Sequence, residues 1–240
     1  MYSFESKVRY SETGSDAKLD PVMILNYFQD SSTMQSEDLG VGIEYLKEFN
    51  AAWVLNFWQL DIIQRPALGQ EIEILTFPYE FRGVIGRRNY QMSGLGGEVL
   101  ARANAIYTLM NMEKHVPFKP DEKMLKAYTL EKCLDMEYLP RKIVFMGEGT
   151  PSDPVTVKRH DLDTNEHMNN AQYVDMALDI LPDINPSRIL ASYHISAVKG
   201  DIIYPLIYSG DGEYGVDLRS REGDSLCRVK VINKTDSNDM

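Results

Sequence analysis

Two aspartates, two histidines and three asparagines crowd into one short stretch, Arg159-His160-Asp161-Leu162-Asp163-Thr164-Asn165-Glu166-His167-Met168-Asn169-Asn170, directly ahead of an apolar helical pattern. A carboxylate beside an imidazole is the usual equipment of general acid–base chemistry, and a neighbouring amide orients a water or the carboxylate itself. The same side chains also cap helices, so residue types alone leave capping and catalysis open. The run Asp161-x-Asp163-x-Asn165 suggests a calcium loop, but Glu166 stands where the glycine belongs and Gln172 where the glutamate belongs. Zinc would need ligands that reach one ion, and Cys133 and Cys227 lie far away in sequence. No metal site is read here. His115, beside Val116-Pro117, reads as a linker residue, and His194 as a strand residue. His160 reads as a supporting partner or a surface residue.

An internal repeat sharpens the choice. Residues 8–30 lie over 157–179 without a gap, and the turns 68–70 and 199–201 then correspond. Asp163, Asn165 and His167 fall opposite Gly14, Asp16 and Lys18. If the cluster only capped a helix, both copies would be expected to solve that problem alike. Only one carries carboxylate, amide and imidazole together, which favours one active half beside a non-catalytic one.

The elements that must position these residues follow a repeated order. A strand-like opening at 7–10 leads to Asp20-Pro21, an N-cap followed by a residue suited to the first helical position. The dense apolar run Val22-Met23-Ile24-Leu25 with Tyr27 and Phe28 predicts a helix buried on most sides. Strands are expected at 51–63, 71–82, 87–93 and 98–112, with a hairpin at Gly94-Leu95-Gly96-Gly97. A proline-bearing linker with a short helix at 121–128 follows. The pattern then restarts: strand 155–159, polar turn, helix 169–180, and strands 188–196, 201–209, 214–222 and 225–233. This implies an α+β architecture of two antiparallel sheets, each wrapped around one buried helix. The expected division is a first unit at 1–130, a linker at 131–150 and a second unit at 151–240.

Composition supports a globular protein, with 43% hydrophobic and 25% charged residues in 240. No run approaches the ~20 apolar residues of a membrane helix, and the opening lacks the apolar core of a secretory signal. Two distant cysteines fit reduced thiols, so a cytoplasmic protein without stable membrane association is expected. The net charge of −11 argues against nucleic acid as a partner. Local basic clusters remain at Arg82, Arg87 and Arg88, and at Lys158 and Arg159.

The pattern Asp-Leu-Asp-x-Asn-x-His-x-Asn-Asn-x-x-Tyr at 161–173 resembles the motif of plant and bacterial acyl-ACP thioesterases, with weaker similarity at 193–201 and 101–112. The resemblance implies a tandem (double) hotdog fold and release of free fatty acid from acyl carrier protein in fatty acid biosynthesis, without metal or organic cofactor. Family roles fall on Asp163, Asn165 and His167, with Asp161, Asn169 and Ser196 in support. An oxyanion would meet the backbone N–H groups of the helix that starts near Asn169. The acyl chain would lie in the first half, beside the helix at 22–28 and near Met34, Trp53 and Phe57. One departure matters: three residues after Tyr193, where the family usually carries an acidic residue, stands Ser196, followed by Ala197. An acyl-CoA thioesterase and a non-catalytic acyl-binding module of the same fold are the alternatives. Two halves in one chain allow a monomer or a homodimer.

Overall fold

The computed structural model describes residues 1–182, 184–210 and 212–234. The chain opens on β1 (Tyr2–Lys7), in which every second residue is part-buried. It therefore lies ahead of the strand expected at 7–10. Asp20 then starts α1 (Pro21–Asp38) as its type predicts, its Oδ1 accepting from the Val22 N–H at 2.8 Å. The first half of α1 is buried through Val22, Ile24, Leu25, Tyr27 and Phe28, whereas Ser31 and Gln35 are its buried residues further on. Met34, expected near the acyl chain, is exposed. A single helical turn that the pattern did not announce, α2 (Ile43–Lys47), precedes β2 (Ala51–Ile62).

The long strands β3 (Glu71–Arg82), β4 (Ile85–Gly94) and β5 (Val99–Asn111) occupy the expected stretches. Pro78 has no N–H for the ladder, and the β3–β4 register shifts between Pro78 and Glu80. The short β6 (Val116–Pro117) pairs with β5, and α3 (Glu122–Ala127) begins on the Asp121 cap. Beyond the connecting segment come β7 (Thr150–Pro151), β8 (Val155–Thr156), α4 (Asn170–Asp179), β9 (Pro186–Tyr193), β10 (Ile202–Gly210), β11 (Glu213–Arg219) and β12 (Ser225–Asn233).

Two compact units result: residues 1–56 with 60–139, and 57–59 with those from Pro140 onward. In the first the strand order is β1-β3-β4-β5-β2, and in the second β9-β12-β11-β10-β7, with β8 also on β10. With the second order read in reverse, the two run alike: β10, β11, β12 and β9 repeat β3, β4, β5 and β2. α1 packs on β1, β3 and β4, and α4 on β11 and β12. The tandem α+β arrangement read from the repeat is present.

The segment between the units is irregular yet held. On the first unit, the Leu134 N–H and the Tyr138 hydroxyl both donate to Asn89 Oδ1, at 3.1 and 2.9 Å, and Arg102 donates to the Asp135 carbonyl at 2.9 Å. On the second, Arg228 donates to the Ile143 carbonyl, and Phe145 stacks on Tyr208 at 4.6 Å. Gly215 leaves room for that ring, because a Cβ there would sit 2.3 Å from it.

Candidate functional site

The cluster at 159–170 begins with a 3-10 turn at Arg159–Asp161, and the strand expected at 155–159 is confined to Val155–Thr156. Asp161 is buried, and its Oδ2 accepts from the Lys158 N–H at 2.7 Å. The chain then folds back on itself. The Asp163 N–H donates to the His167 carbonyl at 2.8 Å, the Glu166 N–H to the Asp163 carbonyl at 3.1 Å, and Leu162 bridges Met168. Glu166 adopts φ 62° in this turn. Asp163 Oδ1 accepts from the Asn165 N–H at 2.7 Å and the His167 N–H at 3.3 Å. The turn thus gathers Asp163, Asn165 and His167 and fixes one carboxylate oxygen through the backbone. Among the described residues, Asp163 Oδ2, the Asn165 amide and the His167 imidazole have no hydrogen-bond partner. Asp163 and His167 are half-buried, and Asn165 is exposed.

Asn169 is the N-cap of α4: its Oδ1 accepts from the Ala171 N–H at 2.9 Å and its own N–H donates to the Asp161 carbonyl at 2.8 Å. Asp161 and Asn169 therefore build the turn and the helix start. The Asn170 N–H meets no acceptor among the described residues and lies at the positive end of α4.

Ser196 reaches the same place by another route. β9 ends at Tyr193 and not at residue 196, because the His194 and Ile195 N–H groups both turn to the Leu226 carbonyl, at 2.9 and 3.3 Å. The chain then docks on the turn: Ala197 accepts from the Met168 N–H at 2.8 Å, and Val198 bridges His167. Ser196 is exposed at this edge. Two tyrosines clamp the docking. The Tyr173 hydroxyl accepts from the Ala197 N–H at 2.7 Å, and the Tyr193 hydroxyl donates to the Asn170 carbonyl at 2.9 Å. Burial pushes the Tyr173 phenol well up, so it stays neutral. His194 and His160 are exposed, with His160 Nε2 3.3 Å from Asp161 Oδ1.

The first unit repeats this backbone bond for bond. Gly14 donates to Lys18, Ala17 to Gly14, and Leu19 to Pro66, at 3.0, 3.0 and 2.8 Å, and Ala17 has φ 56°. Val8 and residues 69–70 exchange the same two bonds that join Val157 to residues 200–201, all at 2.9–3.0 Å. Only the side chains differ. The position of Ser196 is held in the first unit by Arg65, which grips Asp16 through two nitrogens at 2.8 and 3.1 Å and donates to the Leu19 carbonyl at 2.7 Å. Partial burial raises the Asp16 carboxyl, but the Lys18 N–H and Arg65 outweigh it and hold it below the ordinary range. Arg65 and the two clamping tyrosines were missed from sequence. Extending the 68–70 correspondence three residues upstream would have found Arg65, and Tyr173 closes the quoted motif.

The comparisons with known proteins agree with this architecture. Residues 1–128 match the model of the acyl-ACP thioesterase N-terminal domain, and residues 148–233 that of the C-terminal domain. The chain is 25% identical over 213 residues to a chloroplastic palmitoyl-acyl carrier protein thioesterase of Gossypium hirsutum, covering 82% of this chain and 50% of that one. It is 24% identical over 189 residues to the chloroplastic acyl-[acyl-carrier-protein] hydrolase FATB2 of Cuphea viscosissima, covering 73% of this chain and 46% of that one. The chain thus spans about half the length of these curated relatives. In fold it superposes on an acyl-ACP thioesterase from Bacteroides thetaiotaomicron with a TM-score of 0.89 at 20% identity, over 97% of both chains. It superposes on the 12:0-ACP thioesterase from Umbellularia californica with a TM-score of 0.83 at 18% identity, again over 97% of both. These matches give the tandem units the double hotdog fold. With both domain models matched across nearly the whole chain, the protein belongs to the acyl-ACP thioesterase family.

Proposed function

We propose that this protein hydrolyses the thioester of fatty acyl groups on acyl carrier protein and releases free fatty acid in fatty acid biosynthesis. The observation that carries this reading is the single turn holding Asp163, Asn165 and His167, present in one unit of a family member and replaced in the other by Gly14, Asp16 and Lys18. Asp163 Oδ2 takes a proton from water, whose oxygen attacks the thioester carbonyl. The oxyanion rests on the Asn170 N–H at the start of α4. When the C–S bond breaks, His167 relays the proton held by Asp163 to the departing thiolate, which restores the carboxylate, and Asn165 holds the water in line. Asp161 and Asn169 shape the turn. Ser196 leaves Asp163 as the only carboxylate assigned to the base role.

In this reading the second unit (151–240) is catalytic, and the first (1–130) accommodates the acyl chain, the two being joined through the linker (131–150). The protein works in the cytoplasm, as a monomer or homodimer, without nucleic acid or stable membrane association. No helix is long and apolar enough to cross a membrane among the described residues. The test is thiol release from a series of acyl-ACPs by wild type and His167→Ala. Loss of ~100-fold or more in the variant supports the assignment. Wild type that cleaves acyl-CoA in preference makes the protein a CoA thioesterase. Wild type that binds acyl groups without turnover makes it an acyl-binding module.

A further inference from the structure

Helix α1 changes character partway along. In the ungapped overlay residue 30 falls on Asp179, where α4 ends, and residues 31–38 continue α1 past that point. The buried face is apolar as far as Phe28, and the buried residues beyond it are Ser31 and Gln35. A polar inner face is costly unless the elements packed on it supply partners.

The sheet supplies them. Arg88 on β4 donates from Nη1 to Gln35 Oε1 and, at 3.2 Å, to Thr76 Oγ1, and its guanidinium lies 5.5 Å from the centre of the Tyr128 ring. The Tyr128 and Ser36 hydroxyls are 2.7 Å apart. Those of Tyr90 and Tyr107 are 2.8 Å apart, with Ser32 beside both. Counted on from the matching turns at 68–70 and 199–201, Ile207 and Val216 hold the places that Thr76 and Tyr90 occupy as a cross-strand pair. This polar pairing is therefore a property of the first unit and not of the repeat.

Arg88 is the member these contacts leave incomplete. It is 8% exposed and always charged, yet no carboxylate bonds it among the described residues. Asp30, Glu37 and Asp38 keep their charge but are exposed on α1, and Glu80 pairs with Arg87 at 2.9 Å. Burial holds the Tyr90 and Tyr107 phenols above their ordinary range, so neither supplies an anion. Arg88 Nε and Nη2 donate to nothing among the described residues, and neither is fully enclosed. Across the ladder Ala105 and Ala103 stand opposite Arg88 and Tyr90, side chains that take little room beside the guanidinium. A plain hydrocarbon laid against Arg88 would strip water from its free N–H groups and offer no bond in return. An oxygen there would accept from them, and a carboxylate would do so through both of its oxygens.

We infer that Arg88, framed by Gln35, Thr76 and the Tyr90, Tyr107 and Tyr128 phenols, is a recognition site for an acceptor oxygen at the far end of the acyl chain, so that the preferred substrates are ω-oxygenated acyl groups. This rests on the reading above in which the first unit accommodates the acyl chain. A hydroxyl and a carboxylate share the acceptor chemistry that the site demands.

The test compares plain, ω-hydroxy and ω-carboxy acyl-ACPs over a series of matched chain lengths, with wild type and Arg88→Met. Binding of the corresponding free acids is followed by calorimetry. At the length that reaches Arg88, an oxygenated acyl group should exceed its plain counterpart about 10-fold or more in kcat/KM, mostly through KM. Arg88→Met removes the charge at similar volume and should bring that ratio within about 2-fold. A merely structural arginine would leave the ratio unchanged, and that result overturns the assignment. Preference for the carboxylate identifies a counter-ion for Arg88 and preference for the hydroxyl a neutral acceptor; either sustains the site. Wild type that favours plain chains at every length overturns it without recourse to a variant, while leaving the hydrolase reading intact. Wild type that binds ω-oxygenated acids more tightly than plain ones, yet hydrolyses no thioester, keeps the site and sinks the hydrolase reading.

Discussion

Replacing Asp163 by Asn and by Ala separates its chemistry from its structural part. Asp163 Oδ1 holds the Asn165 and His167 N–H groups, at 2.7 and 3.3 Å. Asn keeps an oxygen at that position, so the turn survives and only the base is lost. Ala loses both bonds, each worth about 1 kcal/mol where water can substitute. The first unit bounds that cost. Gly14 has no side-chain acceptor, yet the same turn closes, with Asp16 Oδ1 accepting from the Lys18 N–H at 3.1 Å. Asp163→Ala should therefore lower stability by about 1 kcal/mol, or roughly 2–4 °C in Tm for a chain of this size, and Asp163→Asn by less. Both should lose ~100-fold or more in kcat, equivalent to about 2.7 kcal/mol of transition-state stabilisation. The assay is single-turnover thiol release from acyl-ACP alongside thermal unfolding. Asp163→Asn with more than a tenth of wild-type rate would refute the base assignment. A Tm drop in Asp163→Asn matching that in Asp163→Ala would mean the carboxylate is there for the fold.

Ser196→Arg copies the first unit: the guanidinium should reach the His167 and Met168 carbonyls as Arg65 reaches those of Lys18 and Leu19, closing the site. Turnover should fall at least ~100-fold with Tm unchanged or higher, read by the same two assays. Tyr173→Phe strips the acceptor from the buried Ala197 N–H and should cost about 1–3 kcal/mol in denaturant unfolding, loosening the docking of 196–198 on the turn. Glu12 is held below the ordinary carboxylate range: burial raises it, but bonds from the Arg9 guanidinium and N–H and from the Tyr27 hydroxyl outweigh that. With a depressed folded-state pKa, its contribution is complete above the unfolded value of ~4.3 and fades as pH falls through the folded value. Urea midpoints measured from pH 6 to 3 should therefore drop more steeply for wild type than for Glu12→Gln.

Much of the site was legible because its determinants are local. Asp20-Pro21 announces α1 through one side-chain bond, and the spacing of Asp163, Asn165 and His167 is that of a single turn. The ungapped overlay worked because the two turns close through the same backbone bonds, which ask little of side-chain identity. What escaped depends on partners distant in sequence. The end of β9 is set by the Leu226 carbonyl, which draws two N–H groups out of register, so Ser196 lies off the strand it was assigned to. The connecting segment carries no periodicity because single bonds to Asn89 and Arg228, and one ring on Tyr208, hold it in place. β1 was placed late because its period-2 burial begins at the second residue, ahead of the stretch that looked strand-like. Helix α2 is one turn long, too short for a 3.6-residue repeat to register.

The left-handed residue in each turn, Ala17 at φ 56° and Glu166 at φ 62°, carries a different message. A side chain in that conformation stores about 1–3 kcal/mol of backbone strain, and such strain is commonly ascribed to function. Here the copy without the acid–base residues stores it too, so the strain belongs to closing the turn and not to the chemistry. An engineer can treat position 166 as a cost of the turn itself: glycine there relieves the backbone while leaving Asp163, Asn165 and His167 untouched.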